Sequence, residues 1–203
     1  MSCEAGSVDD KQRLRPAGVV RRAVVLVEGT SDQHALAALA ARRERNLDAE
    51  GISVVPMGGA RSIGRFLELF GPHGYDVRLA GLCDAGEEGD FRRGIERAGL
   101  GSHLTRAALE SLGFFVCVAD LEDELIRSLG ADSVERVLGI HGDLDSFRIF
   151  QKQPAQRGRT NEEQLRRFMG TRSGRKTMYA RLLVDALDLT RVPRPLDLVL
   201  AHL

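Results

Sequence analysis

Acidic side chains follow three of the four apolar segments that we predict to be strands. Glu28 comes directly after AVVLV, Asp84 follows VRLAGLC, and Asp120 and Glu122 come shortly after FFVCV. Asp32 lies four residues beyond Glu28, across a predicted strand-to-helix turn, so both carboxylates are expected at one crevice. Hard oxygen ligands of this kind suit Mg²⁺ or Mn²⁺. The sequence therefore predicts a divalent-cation site.

The elements that must position these acids are short, continuously apolar runs separated by amphipathic helical patterns. Four runs are typical of strands buried on both faces of a parallel sheet: Ala23 to Val27, Ile52 to Val55, Val77 to Cys83 and Phe114 to Val118. Ser31 is the expected N-cap of the helix after the first run. We predict an α/β fold, a parallel sheet of about four strands with flanking helices. Open parallel sheets bind ligands at the carboxyl ends of their strands, where the acids lie.

Beyond Leu125 the pattern changes to helices, which favours a C-terminal helical subdomain. Helical spacing predicts helices at about residues 31–40, 62–70, 91–100, 122–129, 133–138, 144–151, 162–169, 176–187 and 196–203. We predict a flexible tail over residues 1–20, a catalytic domain over 21–130 and a helical extension over 131–203. The polar, basic loop PAQRGRT, residues 154–160, lies within that extension.

The composition predicts a cytoplasmic protein without a membrane segment. No apolar stretch approaches the roughly 18 residues of a membrane helix, and the first twenty residues do not form a signal peptide. Cys3, Cys83 and Cys117 form no CxxC pair and are expected to be free thiols of a reducing compartment. The 29 basic and 29 acidic residues cancel, so nucleic-acid binding would depend on local patches.

Four ordered segments carry a family resemblance. VVLVEGTSDQHAL, VVPMGGARSIGRFLELF, VRLAGLCDAGEEGDF and FFVCVADLEDELI resemble successive parts of the TOPRIM domain in OLD-family (overcoming lysogenization defect) nucleases. The resemblance covers roughly residues 22–130. It implies a TOPRIM-type, Rossmann-like sheet and a metal-dependent endonuclease that hydrolyses DNA.

The resemblance also assigns roles to the acids. Glu28, Asp84 and Glu122 would be catalytic and hold one or two Mg²⁺ or Mn²⁺ ions, with Asp32 and Asp120 as further ligands or as acids that orient bound water. The alternative for each acid taken alone is a helix N-cap or a solvated turn residue, which is about as common after a buried strand.

One position departs from the family pattern. The second aspartate of the DxD motif that begins at Asp84 is Gly86 in this sequence. Either Glu87, Glu88 or Asp90 reaches the vacated position as a substitute ligand, or the second metal site is weakened or lost.

Basic residues of the C-terminal extension complete the expected site. The segment GRKTMYARLLVDAL resembles the OLD-family tail, in which a lysine at the head of a helix joins the active site, and this assigns a catalytic role to Lys176. Arg157, Arg159, Arg172 and Arg175 are candidates for phosphate contact, which would make DNA binding depend on salt.

Two functional classes remain open at this point. The first is a nuclease acting in DNA repair or phage defence. The second is a catalytically weak TOPRIM module for nucleic-acid binding or assembly, which the loss of an acid at Gly86 favours. The sequence contains no ATPase domain of the kind that usually precedes this unit in OLD-family proteins. Either the ATPase is a separate subunit or the domain works alone, and a homodimer is a further possible partner state.

Overall fold

The computed structural model describes residues 21–203, and its centre is a four-stranded parallel sheet. The strands are β1 (Ala23–Val27), β2 (Ile52–Pro56), β3 (Arg78–Cys83) and β4 (Phe114–Val116), in the order β2-β1-β3-β4. All three neighbouring pairs are parallel. The predicted α/β sheet is confirmed, although β4 ends two residues earlier than expected. The predicted tail and Cys3 lie outside the described residues.

Helices cover both faces of this sheet. Short 3-10 turns at Ala60–Ser62, Ala85–Glu87, Pro154–Gln156 and Leu189–Arg191 connect some of them. The helices are, in chain order, α1 (Thr30–Arg42), α2 (Ile63–Phe70), α3 (Glu88–Arg97), α4 (Arg106–Ser111), α5 (Leu121–Leu129), α6 (Ala131–Ile140), α7 (Leu144–Gln151), α8 (Asn161–Met169), α9 (Arg175–Ala186) and α10 (Arg194–Ala201).

Alternation along the strands divides the apolar core into two layers. Val25 and Val27 point toward one face, where α1, α5, α9 and α10 pack, whereas Val24 and Leu26 point toward the other, under α2, α3 and α4. Strand positions buried on both faces explain why the strands read as continuous apolar runs instead of alternating ones. Of these helices, only α4 has no counterpart among the sequence predictions.

A close approach between β3 and β4 depends on a glycine. Gly81 pairs with Phe114, and a Cβ atom on Gly81 would lie 2.6 Å from the Phe114 ring. Only glycine leaves room for this aromatic side chain, so the residue supports the placement of β4 beside β3.

The C-terminal helices complete the core of the sheet domain. Leu183 of α9 and Leu196 of α10 belong to the same buried cluster as Val25 of β1 and Leu39 of α1. The boundary that we predicted at residue 130 therefore marks a change in secondary structure and does not interrupt the hydrophobic core. No helix within residues 21–203 is both long and apolar enough to span a membrane.

Arginines at the end of α1 form hydrogen bonds with the C-terminal ends of α9 and α10. The Arg42 guanidinium donates to the carbonyls of Val184 and Leu187 at 2.7 and 2.6 Å, and Arg45 donates to Leu200 O at 2.6 Å. Carbonyls in the last turn of a helix have no partner within the helix, so these bonds cap α9 and α10. They also fix the position of α9, which carries Lys176.

Candidate active site

The carboxyl ends of β1 and β3 bring the first two acids together. Glu28 follows β1 and Asp84 follows β3, and these strands are neighbours in the sheet. The Asp84 backbone N–H donates to Oε1 of Glu28 at 2.8 Å. This bond links the two strand ends and holds the Glu28 carboxylate at the edge of the sheet.

A second connection draws the end of β4 into the same edge. The Cys117 N–H donates to Cys83 O at 2.9 Å, and the Ala85 N–H donates to Ala119 O at 3.0 Å. The two chain segments therefore run side by side beyond the strands and deliver Asp120 next to the Glu28–Asp84 pair. Both cysteines are buried and free, as predicted.

Asp32 projects from the first turn of α1. The prediction of Ser31 as the cap of this helix is wrong, because the helix begins at Thr30 with Gly29 as its N-cap. The Gly29 N–H donates to Oδ2 of Asp32 at 2.9 Å, so the aspartate satisfies a backbone group of the turn itself. The residue is buried, with 8% of its surface exposed.

Asp120 is the N-cap of α5. Its Oδ1 accepts from the Asp123 N–H at 2.9 Å, and its Oδ2 accepts from Nε of Arg166 at 2.7 Å. Both oxygens are therefore engaged by protein donors, and the N-cap alternative holds for this residue. Arg166 lies on α8, which packs against α5.

The N-terminus of α9 brings Lys176 to the same group of acids. We call the place where Glu28, Asp84, Glu122 and Lys176 meet the acidic crevice. Nζ of Lys176 donates to Oε2 of Glu122 at 2.9 Å, and the Thr30 and Thr177 hydroxyls lie 3.2 Å apart. Glu122 is 4% exposed, whereas the Lys176 side chain is 47% exposed. The ammonium is thus held by a buried acid, stays partly exposed, and lies near enough to Asp120 and Asp84 to interact with their charges.

Burial and mutual repulsion disturb the ionisation of the acids. Burial, followed by the charges of Glu28, Asp32, Asp120 and Glu122, raises the pKa of Asp84 to about 8. The pKa of Asp32 is raised to about 6, mainly by burial, and that of Glu28 is raised by the same cause. Carboxyls shifted in this direction hold protons that a bound cation would replace.

Lys176 keeps its charge in this setting. Burial lowers the pKa of the ammonium, but the hydrogen bond with Glu122 and the charges of the nearby carboxylates outweigh it and raise the pKa. A permanently charged donor at the crevice can stabilise negative charge on a bound phosphate.

The donor set fits a hard divalent cation held with water. No group of three or more His, Cys, Asp or Glu side chains within residues 21–203 forms a ready-made chelate. Mg²⁺ does not require one, since it keeps several waters and is commonly bound by one or two carboxylates. Asp84, with its raised pKa, and Glu28, exposed in part at the strand end, are the residues best placed to hold it.

The substitute ligands that we considered have different surroundings. Glu88 forms ion pairs with arginines of α3 and α4 at 2.6 and 2.5 Å, and Asp90 pairs with Arg93 of its own helix. Glu87 is near enough to Glu28 for its charge to raise the pKa of that acid. Of the three substitutes in the sequence prediction, Glu87 is thus the one that remains available.

Arg175 was predicted to contact phosphate, and the structure contradicts this. The residue is 8% exposed, and its guanidinium donates to Thr171 Oγ1 at 2.7 Å and to Asp143 Oδ1 at 3.3 Å while lying 4.1 Å from the centre of the Phe168 ring. Burial among these partners leaves no face for a ligand. Although Arg175 and Lys176 are neighbours in the sequence, only Lys176 reaches the crevice.

The other three predicted arginines are exposed. Arg157 and Arg159 lie in the loop before α8, and Arg172 lies between α8 and α9, close along the chain to Lys176. Arg166 is absent from the sequence predictions, because it reaches Asp120 only through the packing of α8 on α5, and no spacing in the sequence indicates that contact.

Comparison with known proteins agrees with this architecture. Residues 21–85 match the family described as overcoming lysogenization defect protein-like, TOPRIM domain. The structure resembles the C-terminal region of the Xanthomonas campestris pv. campestris OLD protein, at 24% identity over 89% of this chain and 93% of that chain, with a TM-score of 0.70. It also resembles the C-terminal region of the Burkholderia pseudomallei OLD protein, at 20% identity over 90% and 96%, again with a TM-score of 0.70. At such identities the structural likeness establishes the fold. No curated protein matches the sequence.

Proposed function

We propose that the protein is a metal-dependent nuclease that hydrolyses phosphodiester bonds in DNA, and the proposal proceeds from the match of residues 21–85 to the OLD-like TOPRIM domain. The observation that carries the proposal is the meeting of four chain segments at one crevice. Glu28, Asp84 and Glu122 line it, and Lys176 points into it from α9. Clustered acids that raise each other's pKa have no structural benefit unless a cation joins them.

Each residue has a distinct task in this proposal. Glu28 and Asp84 would hold the cation at the sheet edge, and Asp32 would accept hydrogen bonds from its water. Bound Mg²⁺ or Mn²⁺ supplies an activated water and neutralises charge on the phosphate. Lys176 would donate to a phosphoryl oxygen as negative charge develops there, while Glu122 keeps the ammonium in position.

The exposed arginines support DNA as the substrate. Arg157, Arg159 and Arg172 lie on the loops at either end of α8, the helix that contacts the acidic crevice through Arg166. We propose that they bind backbone phosphates. Such contacts position a strand without reading its sequence.

A cleavage assay on supercoiled plasmid tests the nuclease proposal. We expect nicked and linear products in Mg²⁺ or Mn²⁺ and none in EDTA. Glu28→Gln keeps an acceptor for the Asp84 N–H but removes a charged ligand, so cleavage should fall by about 100-fold or more. Glu68→Gln, an exposed change on α2, is the matched control and should cleave like the wild type. Wild-type protein that does not cleave with either metal contradicts the proposal.

The second candidate function is a binding module without cleavage, and Gly86 is the observation that favours it. The same domain would then bind DNA and a cation without completing hydrolysis. A rise in melting temperature with Mg²⁺ and retention of DNA, in the absence of any cleaved product, would select this alternative.

A further inference from the structure

The carboxylates on the two sides of the acidic crevice differ in their ion pairs with the protein. On the β4 side, Arg166 pairs with Asp120 at 2.7 Å and Lys176 pairs with Glu122 at 2.9 Å. On the other side, Glu28 and Asp84 are joined through a backbone N–H and pair with no arginine or lysine of residues 21–203. The protein therefore pairs one half of the cluster directly with its own cations, whereas Lys176 acts on Glu28 and Asp84 only through its more distant charge.

Both carboxylate oxygens of Asp120 have hydrogen-bond donors within the protein. One carboxylate oxygen caps α5 through the Asp123 N–H, and the other accepts from the Arg166 guanidinium. A metal ion that used Oδ2 of Asp120 would lie beside the Arg166 guanidinium, and the two positive charges would repel each other. Arg166 thus competes directly with a cation at this end.

The missing acid lies at the same edge. Gly86 occupies the exposed turn after Asp84, and a Cβ atom there would meet no heavy atom within 4 Å. Its φ angle is not among the positive values, so an aspartate would fit without backbone strain. Packing therefore does not exclude a carboxylate at this position, and its absence lowers the negative charge of the site.

We infer that Arg166 takes the place of a second divalent cation, so that the chain binds a single metal ion beside Glu28 and Asp84. This inference rests on the proposed function and assigns Arg166 as a positioning residue, which acts through Asp120. With no acid at Gly86 and with Asp120 paired with a guanidinium, two carboxylates fewer are free to hold a second ion.

Counting bound Mn²⁺ tests the inference. Free Mn²⁺ is measured by electron paramagnetic resonance during titration of the full chain, and the wild type should bind one ion. The double variant Gly86→Asp with Arg166→Met should bind two, because a carboxylate is restored and its competing cation is removed. Methionine keeps an apolar stem on α8, and circular dichroism reports whether the variant folds.

Two controls separate the charge at Arg166 from a general effect on α8. Gly86→Asp with Arg167→Met removes the exposed neighbouring arginine and should still bind one ion. Gly86→Asp with Arg166→Lys keeps a cation beside Asp120, and it should also bind one. If the methionine variant fails to fold, the lysine variant decides the question, because two ions bound there would overturn the inference.

The results distinguish this inference from the function on which it rests. Two ions in the wild type, or one ion in the folded methionine double variant, would overturn the role of Arg166 even if plasmid cleavage persists. A wild type that binds no Mn²⁺ and cleaves no DNA would remove the proposed function together with the inference.

Discussion

Replacing Asp84 with asparagine should stabilise the metal-free protein. The folded chain raises the pKa of Asp84 from 3.8 to about 8, chiefly by burial and then by the charges of Glu28, Asp32, Asp120 and Glu122. Between these two pH values the unfolded chain ionises the group while the folded chain keeps its proton. Stability is therefore lost progressively as pH rises from about 4 to about 8, which is the reverse of an ion-paired carboxyl.

The size of the effect follows from the same shift. One pKa unit corresponds to about 1.4 kcal/mol, which sets an upper bound of about 6 kcal/mol at pH 8. Neighbouring carboxyls also take up protons and relieve part of the repulsion, so we expect about 2 kcal/mol. For a domain of this size that corresponds to a rise in melting temperature of roughly 4–8 °C.

Thermal unfolding in EDTA measures this change. Asp84→Asn should melt above the wild type at pH 8, and the difference should shrink as the pH is lowered toward about 5. Addition of Mg²⁺ should stabilise the wild type and leave the variant nearly unchanged, since the ligand is lost. Asp185→Asn, an exposed change on α9, is the matched control and should shift stability by only a few tenths of a kcal/mol. An Asp84→Asn protein that is less stable than the wild type at pH 8 in EDTA would refute the electrostatic reasoning.

Individual contacts lead to three further predictions. Lys176→Met should reduce plasmid cleavage by about 100-fold or more while Mn²⁺ binding persists, because the ammonium acts on the phosphate and not as a metal ligand. Gly81→Ala should cost about 1–3 kcal/mol in urea unfolding, because the new methyl group would overlap the Phe114 ring. Arg172→Ala should lower the slope of log K for DNA against log salt by about one, as measured by fluorescence anisotropy.

A specific result would contradict each of these three predictions. Cleavage by Lys176→Met at the wild-type rate would remove the lysine from the mechanism. Gly64→Ala is the control for Gly81, since a Cβ atom there meets nothing within 4 Å on α2, and it should be neutral or slightly stabilising. Equal losses in the two glycine variants would contradict the packing argument. An unchanged salt slope would exclude Arg172 from phosphate contact.

The sequence predicts the parts of the site that depend on strand ends. Because parallel strands place their carboxyl ends at one edge, the strand-end positions are enough to predict that Glu28, Asp84 and Asp120 share that edge. Their direct contacts depend on the sheet order β2-β1-β3-β4, which differs from the order along the chain. Lys176 is identified by resemblance alone, and its contact with Glu122 depends on how α9 packs against α1 and α5. Helical spacing locates the helices of the C-terminal extension, but it does not show that they share the core of the sheet.

The remaining features depend on contacts between distant segments. Arg166 lies 46 residues from Asp120, and no periodicity links them. Arg175 and Lys176 are adjacent, yet the turn of α9 directs one into the core and the other to the crevice. Arg42 and Arg45 belong to a basic run of the kind that can bind phosphate. In the structure they donate to backbone carbonyls and so cap two helices. Sequence reveals such charges, whereas only packing reveals their partners.

Metal-dependent hydrolysis of DNA is tested most directly by the conversion of supercoiled plasmid by wild-type protein in Mg²⁺ or Mn²⁺ compared with EDTA. We expect nicked and then linear DNA to accumulate with either metal, and EDTA to abolish both products. Plasmid that stays supercoiled in both metals, with protein shown to be folded, would contradict the proposed nuclease.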